Sequence, residues 1–475
     1  MIQHEFFENL RKKIREKNDS ISSKRMKWIG RHSYFYKKYL RTLKFIIEED
    51  AAVMHIRSGI GYLLDRLKPR LGVGVEDSTE QVNEAQKRYP HLTFFNQCVE
   101  DIEIEGKFDY ILITSPEDIV DFKATLDCIK VNIYPHTRIV IVNYNYLWHP
   151  LVQLAELLNL RIPQKLHNWI SKSDMKNFLE LCGYEIVVQR QFILFPFNIP
   201  VISYIVNRFI ARLPVIKYLC FLTVTTARLL FADRQDYSVS VIIPCKNEIG
   251  NVEDAVRRIP PLGKNTEIIF CDDKSTDGTG DRVRELIKEY NEKDIKLLEG
   301  PGISKSEAVW VSFDAAQGDI LMILDGDLTI IPEELPYFYE AIATRRGEYI
   351  NGSRLVYPLH SNSMKLVNVI GNKFFAVLFS YILDTKIKDT LCGTKVLWKR
   401  DYERIRKLRG SWGIRDRWGD YEIIFGAAKC HLKHVDLPVH YYERVYGVTK
   451  MTNVLRNGLI MLRVSLAALF KIKFH

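Results

Sequence analysis

Cysteine is scarce in this chain, and its placement follows no pattern. Eight are scattered through 475 residues, with no C-x-x-C pair and no regular spacing. That excludes a disulfide scaffold and a zinc cluster, and reads as free thiols in a reducing compartment. The G-x-G-x-x-G fingerprint and the GKS or GKT phosphate loop are missing, which counts against a dinucleotide oxidoreductase or an ATPase. So are G-x-S-x-G and H-E-x-x-H, the signatures of serine hydrolases and zinc enzymes. The opening MIQHEFFENLRKKIREK has neither an apolar stretch nor a small-residue cleavage site, so no signal peptide is expected. Nor is a spanning helix expected, because no stretch offers the roughly 18–20 clean apolar residues that one needs.

What is present is a long chain of ordinary globular composition, 47% apolar and 27% charged. That length exceeds one hydrophobic core, so two or three domains are expected. The formal charge is +10, and thirteen Lys or Arg residues fall between Arg11 and Lys44. Trp28, Tyr34, Phe35 and Tyr36 lie among them. Such an arm suits nucleic acid or an anionic bilayer, or is a solvated charged helix. Nothing elsewhere supports nucleic-acid recognition, so no nucleic-acid partner is expected and the membrane is the functional reading.

Residues 51–188 alternate between apolar strands (AAVMHI, LGVGVE, LTFFNQCV, FDYILIT, RIVIVNY) and helical stretches, SPEDIVDFKATLDCIKVNIY and HPLVQLAELLNL. A central, mostly parallel sheet with helices on both faces follows. A second β/α unit begins at Tyr237 with YSVSVIIPC and continues through NVEDAVRRI, TEIIFCDD, GDRVRELIKEYN, AVWVSFDAAQ, DILMILD and GEYINGSRL to the long helical MKLVNVIGNKFFAVLFSYIL. The connector between them is apolar but interrupted by Arg208, Arg212, Pro214, Lys217 and Arg228. At the C-terminus Arg456, Arg463 and Lys471 share one side of a helix. Both segments are expected to lie in a membrane interface, or else to pack as ordinary core.

The segment Ile320–Leu328, ILMILDGDL, carries the chemistry. An apolar run ends in Asp325 and Asp327 across Gly326, at the carboxyl edge of a buried strand, where open α/β sheets bind ligands. Strand alternation would point both carboxylates the same way. Two hard oxygen ligands suit Mg²⁺ or Mn²⁺ beside a diphosphate. Asp272 and Asp273 end another strand, where carboxylates can bond ribose hydroxyls or base nitrogens. Pro244 and Glu248 bracket the first strand-to-helix turn.

With VIIPCKNE, DDKSTDGT, DAAQGDI, LDGDLTIIPEELP, INGSRL, GNKFF, KDTLCGTK, GDYEIIFGA and LPVHYYERVYGVTK in this order, Tyr237–Lys450 resembles the family 2 glycosyltransferases of GT-A fold. Within that family it is most similar to the branch that charges dolichyl or polyprenyl phosphate with a sugar. The resemblance implies that Asp272 or Asp273 contacts the nucleotide. It implies that Asp325 and Asp327 hold metal and diphosphate, and that Arg444 and Lys450 face phosphates. KDTLCGTK would line the sugar and acceptor side, with Asp389 a sugar ligand, or the base for a hydroxyl acceptor. Lys305 is retained where this chain reads GISKSEA and relatives are richer in glycine, and it is expected at the donor. Family 2 enzymes invert the anomeric carbon. A polyprenyl phosphate is already ionised, so it needs alignment and charge stabilisation but no base.

Residues 51–188 resemble the class I S-adenosylmethionine-dependent methyltransferases, through AVMHIRSGIGYLLDRLKPRLGVGVEDS and the strands after it. Glu76 matches the acid that such a fold uses to bond ribose. The glycine-rich turn instead reads His55-Ile56-Arg57-Ser58-Gly59-Ile60-Gly61, and Cys98 stands where an aspartate near adenine is usual. Arg57 replaces a glycine that lets the backbone approach the cofactor. S-adenosylmethionine is therefore not expected to bind at Arg57, Gly59, Gly61, Glu76 and Cys98.

The expected architecture is two α/β domains, a Rossmann-like methyltransferase fold and a GT-A fold, joined by amphipathic helices. Its parts are a basic helical arm (1–50), the first domain (51–196), a helical connector (197–236), the glycosyltransferase (237–450) and an interfacial helix (451–475). The expected function is inverting transfer from a UDP- or GDP-sugar to a polyprenyl phosphate, by a peripheral protein at the cytoplasmic membrane face. The alternatives are a hydroxyl acceptor, a bifunctional methyl- and glycosyltransferase, and a non-enzymatic scaffold in polysaccharide assembly.

Overall fold

Continuous apolar runs need burial on both faces, and AVMHI and ILMI become inner strands covered on both sides. The computed structural model describes residues 2–158, 170–231, 235–357, 366–412, 417–447 and 454–474. The chain divides into two compact units, Met1–Phe231 and Ala232–His475.

The first unit is built on seven strands: β1 Ala52–Ile56, β2 Leu71–Glu76, β3 Thr93–Asn96, β4 Phe108–Ile113, β5 Ile133–Tyr144, β6 Tyr184–Phe192 and β7 Leu222–Leu229. Their order is β3-β2-β1-β4-β5-β7-β6. The first five are parallel, and β7 runs antiparallel to both β5 and β6. The strand order reverses between β1 and β4, which opens the crevice typical of doubly wound sheets. Ser78 starts the helix Thr79–Arg88 by accepting the Gln81 N–H. Helix Ile2–Arg31 packs against that helix, with Gln81 Nε2 donating to Asn18 O at 3.0 Å and Ser78 Oγ to Asp19 Oδ1 at 2.5 Å. The basic arm is thus helical and docked on its own unit.

Two expectations need correction here. The span 197–236, expected as a helical connector, holds a short helix Ile202–Arg208 and single turns at Ile210–Arg212 and Ile216–Leu219. It then becomes strand β7. The β-branched run Thr223–Thr226 favours extended backbone, and β5 and β6 bury it from both sides. The stretch SPEDIVDFKATLDCIKVNIY is no single helix. Asp121 caps a fresh start at Phe122–Cys128 by accepting the Ala124 N–H, and Ile133 already belongs to β5.

The second unit has strands β8 Ser238–Cys245, β9 Asn265–Asp272, β10 Asp294–Glu299, β11 Ile320–Ile323, β12 Tyr349–Ser353, β13 Lys395–Trp398 and β14 His434–Pro438. Their order is β10-β9-β8-β11-β13-β12-β14. The first four are parallel, so their carboxyl ends share one edge; β13 is antiparallel to β11 and β12. Helix Lys305–Ala315 crosses behind β8 and β9, started by Ser304, whose hydroxyl accepts from Glu307 N–H. Helix Val454–Ala468 packs on helix Leu366–Leu383 and buries Met461, Val464 and Ala468 while Leu459 and Leu466 stay exposed. The C-terminal segment is therefore core on one side and apolar surface on the other.

Candidate functional site

The aspartate pair does not lie on extended strand. β11 ends at Ile323, and Asp325 to Leu328 form a turn closed by the Leu328 N–H donating to Asp325 O at 3.1 Å. Leu328 adopts φ 50°, the left-handed region. Simple alternation therefore does not orient the two carboxylates; the turn does. Gly326 is pressed against β8, where an added Cβ would meet Pro244 O at 3.1 Å.

Each aspartate has its own cation. Lys305 Nζ lies 2.5 Å from Asp325 Oδ1. Arg444 donates to Asp327 and also stands 3.4 Å from Glu248 Oε1, so it joins the first strand-to-helix turn to the aspartate turn. Thr329 steadies the other Asp327 oxygen through its N–H and hydroxyl, at 3.2 and 2.9 Å. Burial by itself would raise the Asp325 carboxyl, but Lys305, Lys395 and Arg354 hold it below its ordinary value. Burial would likewise lower the Lys305 ammonium, and Asp325 and Asp420 raise it instead. Both groups are charged at neutral pH.

Asp389 is fully buried and saturated. Arg354 grips it through Nε and Nη2 at 2.8 and 2.9 Å, and the Arg354 N–H, Asn372 Nδ2 and Leu391 N–H supply three more bonds at 3.1, 2.7 and 3.0 Å. Burial opposes ionisation, yet these donors hold its pKa down at about 2. Both its oxygens are already held by donors, which leaves the carboxylate poorly placed to take a proton from a hydroxyl. Its evident work is to aim Arg354, whose guanidinium stacks 5.1 Å from the Tyr441 ring. Burial raises the Tyr441 phenol, opposed by Arg354 and reinforced by Asp327 and Asp325, which places it within the field of all three.

Of the paired residues after β9, Asp273 is buried, taking the Gly302 N–H at 2.6 Å, with Lys246 Nζ 3.8 Å away. Asp272 is half-exposed and accepts the Ser275 N–H at 3.0 Å. Glu248 is buried, with Asn251 Nδ2 donating to it at 2.7 Å. Lys450 lies outside the described residues. Among the described residues no group of three or more His, Cys, Asp or Glu gathers as a metal site. Asp325 and Asp327 still fit Mg²⁺ or Mn²⁺ of the kind held by one or two carboxylates, with substrate phosphates and waters completing the shell.

Three residues of this region were not among the sequence candidates. Arg354 is the arginine of INGSRL, and Lys395 and Asp420 form a buried ion pair at 2.6 Å. Their motifs were visible, but a lone arginine after a strand gave no hint of its partner 35 positions away. The helix that supplies Asn372 also presents Val367, Ile370, Phe374 and Val377 to solvent, at helical spacing along one face.

In the first unit, the crevice edge is occupied by the chain's own arginine. Arg57, with φ 61°, bonds Glu76 Oε1 at 3.3 Å and also contacts Asp77 and the Asp118 carbonyl. Glu76 further accepts the Gly59 N–H at 3.0 Å. The acid expected to bond ribose is thus already engaged. Gly61, at φ 78°, packs so closely on Phe94 that a Cβ would sit 2.6 Å from the ring. Cys98 contacts Glu100 at 3.6 Å, and Arg11 pairs with the same glutamate. A cavity of about 70 Å³ remains, lined by His55, Ser58 and Gln81, with Asn18 and Arg25 from the N-terminal helix.

The profile of Glycosyl transferase family 2 matches residues 240–425, which hold the aspartate turn, Asp389 and Lys395. The second unit contains a family 2 glycosyltransferase-like catalytic domain. This chain is similar to a dolichol-phosphate mannosyltransferase of Pyrococcus furiosus, 41% identical over 120 residues, 25% of this chain and 33% of that protein. It is also similar to an undecaprenyl-phosphate 4-deoxy-4-formamido-L-arabinose transferase of an Enterobacter species, 24% identical over 45% of this chain and 62% of that one. The matches therefore span from a third to under two thirds of these relatives' own lengths. Among solved structures, a SAM-dependent methyltransferase of Thermotoga maritima is similar at 14% identity and TM-score 0.36, over 45% of this chain and 99% of that one.

Proposed function

We propose that the second unit transfers a sugar, with inversion, from a UDP- or GDP-sugar to a polyprenyl phosphate at a membrane surface. The observation that carries this reading is the setting of Asp325-Gly326-Asp327, flanked by Lys305, Arg354 and Arg444. Cations in this number suit a site that must hold a diphosphate and a second, attacking phosphate together. Asp272, the less buried member of its pair, contacts the nucleotide. Asp325 and Asp327 hold Mg²⁺ or Mn²⁺, which neutralises charge on the departing diphosphate when bound. Arg444 and Lys450 face phosphates, and Arg354 orients the acceptor from its seat on Asp389.

The state of Asp389 favours a phosphate over a hydroxyl acceptor. Its oxygens are engaged by five donors and are not free to act as a base, and an ionised phosphate oxygen needs none. The exposed apolar face of helix Leu366–Leu383 supports a lipid-borne acceptor, because the same helix bonds Asp389 through Asn372. Among the described residues no helix is long and apolar enough to cross a membrane. In the first unit, the Arg57–Glu76 pair supports a supporting role without S-adenosylmethionine.

Radiolabelled UDP- and GDP-sugars offered with undecaprenyl phosphate or with a glycan distinguish the acceptors. The expected product is lipid-extractable and labile to mild acid. Turnover on the glycan alone across the donor panel would overturn the proposal.

A further inference from the structure

The first unit also exposes apolar side chains, on segments that do not include Arg57, Glu76 or Cys98. Turn Tyr146–Trp148 and helix His149–Leu157 expose Leu147, Leu151 and Leu154, and Leu157 is 79% exposed. Beside them lies the span 197–219, where Val215 is also 79% exposed and Ile202 lies open. The two segments are tied together: Asn145 Nδ2 donates to Tyr218 O and Cys220 O at 2.8 and 2.9 Å, and Trp148 Nε1 to Leu219 O at 2.7 Å. Exposed apolar side chains scattered singly mean little, whereas several gathered on two segments hydrogen-bonded to each other mark an interaction surface.

Charge indicates which partner. From Ile186 to Phe231 the chain has no Asp or Glu and five cations, and helix Ser33–Ile46 has four cations and no acid. The two acid-free segments meet, since Asn207 Nδ2 donates to Tyr34 OH and Tyr34 OH to Ser203 O, at 2.9 and 3.2 Å. Burial, then the nearby charges of Arg41, Arg208 and Arg212, lower the Lys38 ammonium, so four cations converge there. Glu156 is the one acid on the neighbouring helix. Tyrosines border the patch with cations over their rings, Arg208 at 5.4 Å from Tyr204 and Lys217 at 5.5 Å from Tyr218. Apolar side chains rimmed by cations and amphipathic aromatics match the depth profile of an anionic bilayer surface.

We infer that this face of the first unit docks on the surface of an anionic lipid bilayer, inserting the leucines of 147–157 and the apolar side chains of 199–219 among the headgroups. It gives the methyltransferase-like unit a task that needs no cofactor. The inference stands apart from the acceptor proposed for the second unit, because it concerns different residues and is read without any transfer assay.

The test is vesicle co-sedimentation of the full chain, with phosphatidylcholine vesicles with and without phosphatidylglycerol. The wild type is expected to sediment with the anionic vesicles, less so at high salt. Replacing Leu147, Leu151 and Leu154 together with Asp should weaken that binding by about ten-fold or more, since each buried side chain contributes to partitioning. Lys37→Glu with Arg41→Glu and Lys217→Glu should remove the preference for anionic lipid. All these residues are at least partly exposed, and thermal melts and circular dichroism check that each variant keeps its fold. Binding unchanged in both variants overturns the inference. So does unchanged binding with a loss of self-association in light scattering, which would assign the patch to a second copy of the chain.

Discussion

Arg354 and Asp389, 35 residues apart, meet through a two-pronged ion pair in which the carboxylate is wholly buried and the guanidinium still reaches the Tyr441 ring. Such a pair is rigid because it is expensive to break: removing one partner strands a buried charge. Arg354→Ala is expected to destabilise the second unit by about 3–5 kcal/mol, read as a shift in a denaturant melt. Arg354→Lys retains charge but loses the fork, so it should keep most of the stability and lose most of the transfer rate.

The aspartate turn can be tested apart from turnover. Asp325→Asn and Asp327→Asn should each abolish metal-dependent binding of a nucleoside diphosphate in calorimetry, with a fold unchanged by circular dichroism. Equal affinity with Mn²⁺ in wild type and both variants would remove the assigned site.

Gly393 lies against the Asp325 carboxylate, where any Cβ would overlap it. Gly393→Ala should therefore displace Asp325 or the loop before β13. The expected result is a loss of donor binding comparable to Asp325→Asn, measured by the same titration.

His55 gives the first unit a pH signature. Burial, partly offset by Glu76, lowers its pKa to about 4, while its Nε2 stays bonded to Thr114 at 2.9 Å. The unfolded chain binds a proton near the ordinary 6.5 and the folded one does not. Stability is thus complete above pH 6.5 and falls as pH drops toward 4, by on the order of 3 kcal/mol. His55→Gln should flatten that part of the profile in urea melts taken across the window.

Arg57 should prove structural. It is buried between Asp77 and Glu76, so Arg57→Met leaves two carboxylates facing each other. A loss of about 3–5 kcal/mol is expected in the first unit's melt, largest at neutral pH and smaller in acid as the carboxylates protonate.

The inner strands of both units were legible from sequence because each is a short apolar run bounded by turn residues. β6 and β7 were not, since arginines and threonines break their apolar character and only pairing across the sheet buries them. The aspartate turn was legible for the same reason as its strand: ILMIL must be inside, so the acids that follow must emerge at its edge. Their orientation was not, because the turn depends on Gly326 meeting β8. In KDTLCGTK, Asp389 read as a sugar ligand, or as the base for a hydroxyl acceptor; its burial and its five donors, from Arg354, Asn372 and Leu391, could not be read from the motif.

The amino-acid sequence alone determined that two β/α units are present, that an acidic turn follows a buried strand in the second, and that Arg57 stands in the turn after the first strand of the first. Those are local facts, set by hydrophobic pattern and residue chemistry. Only the tertiary structure decided which charges are engaged. Lys305 with Asp325, Arg444 with Asp327 and Glu248, Arg354 with Asp389, and Arg57 with Glu76 are all joined across long sequence separations. The energy of a charge depends on its partners and its burial, and neither is written in the neighbouring residues.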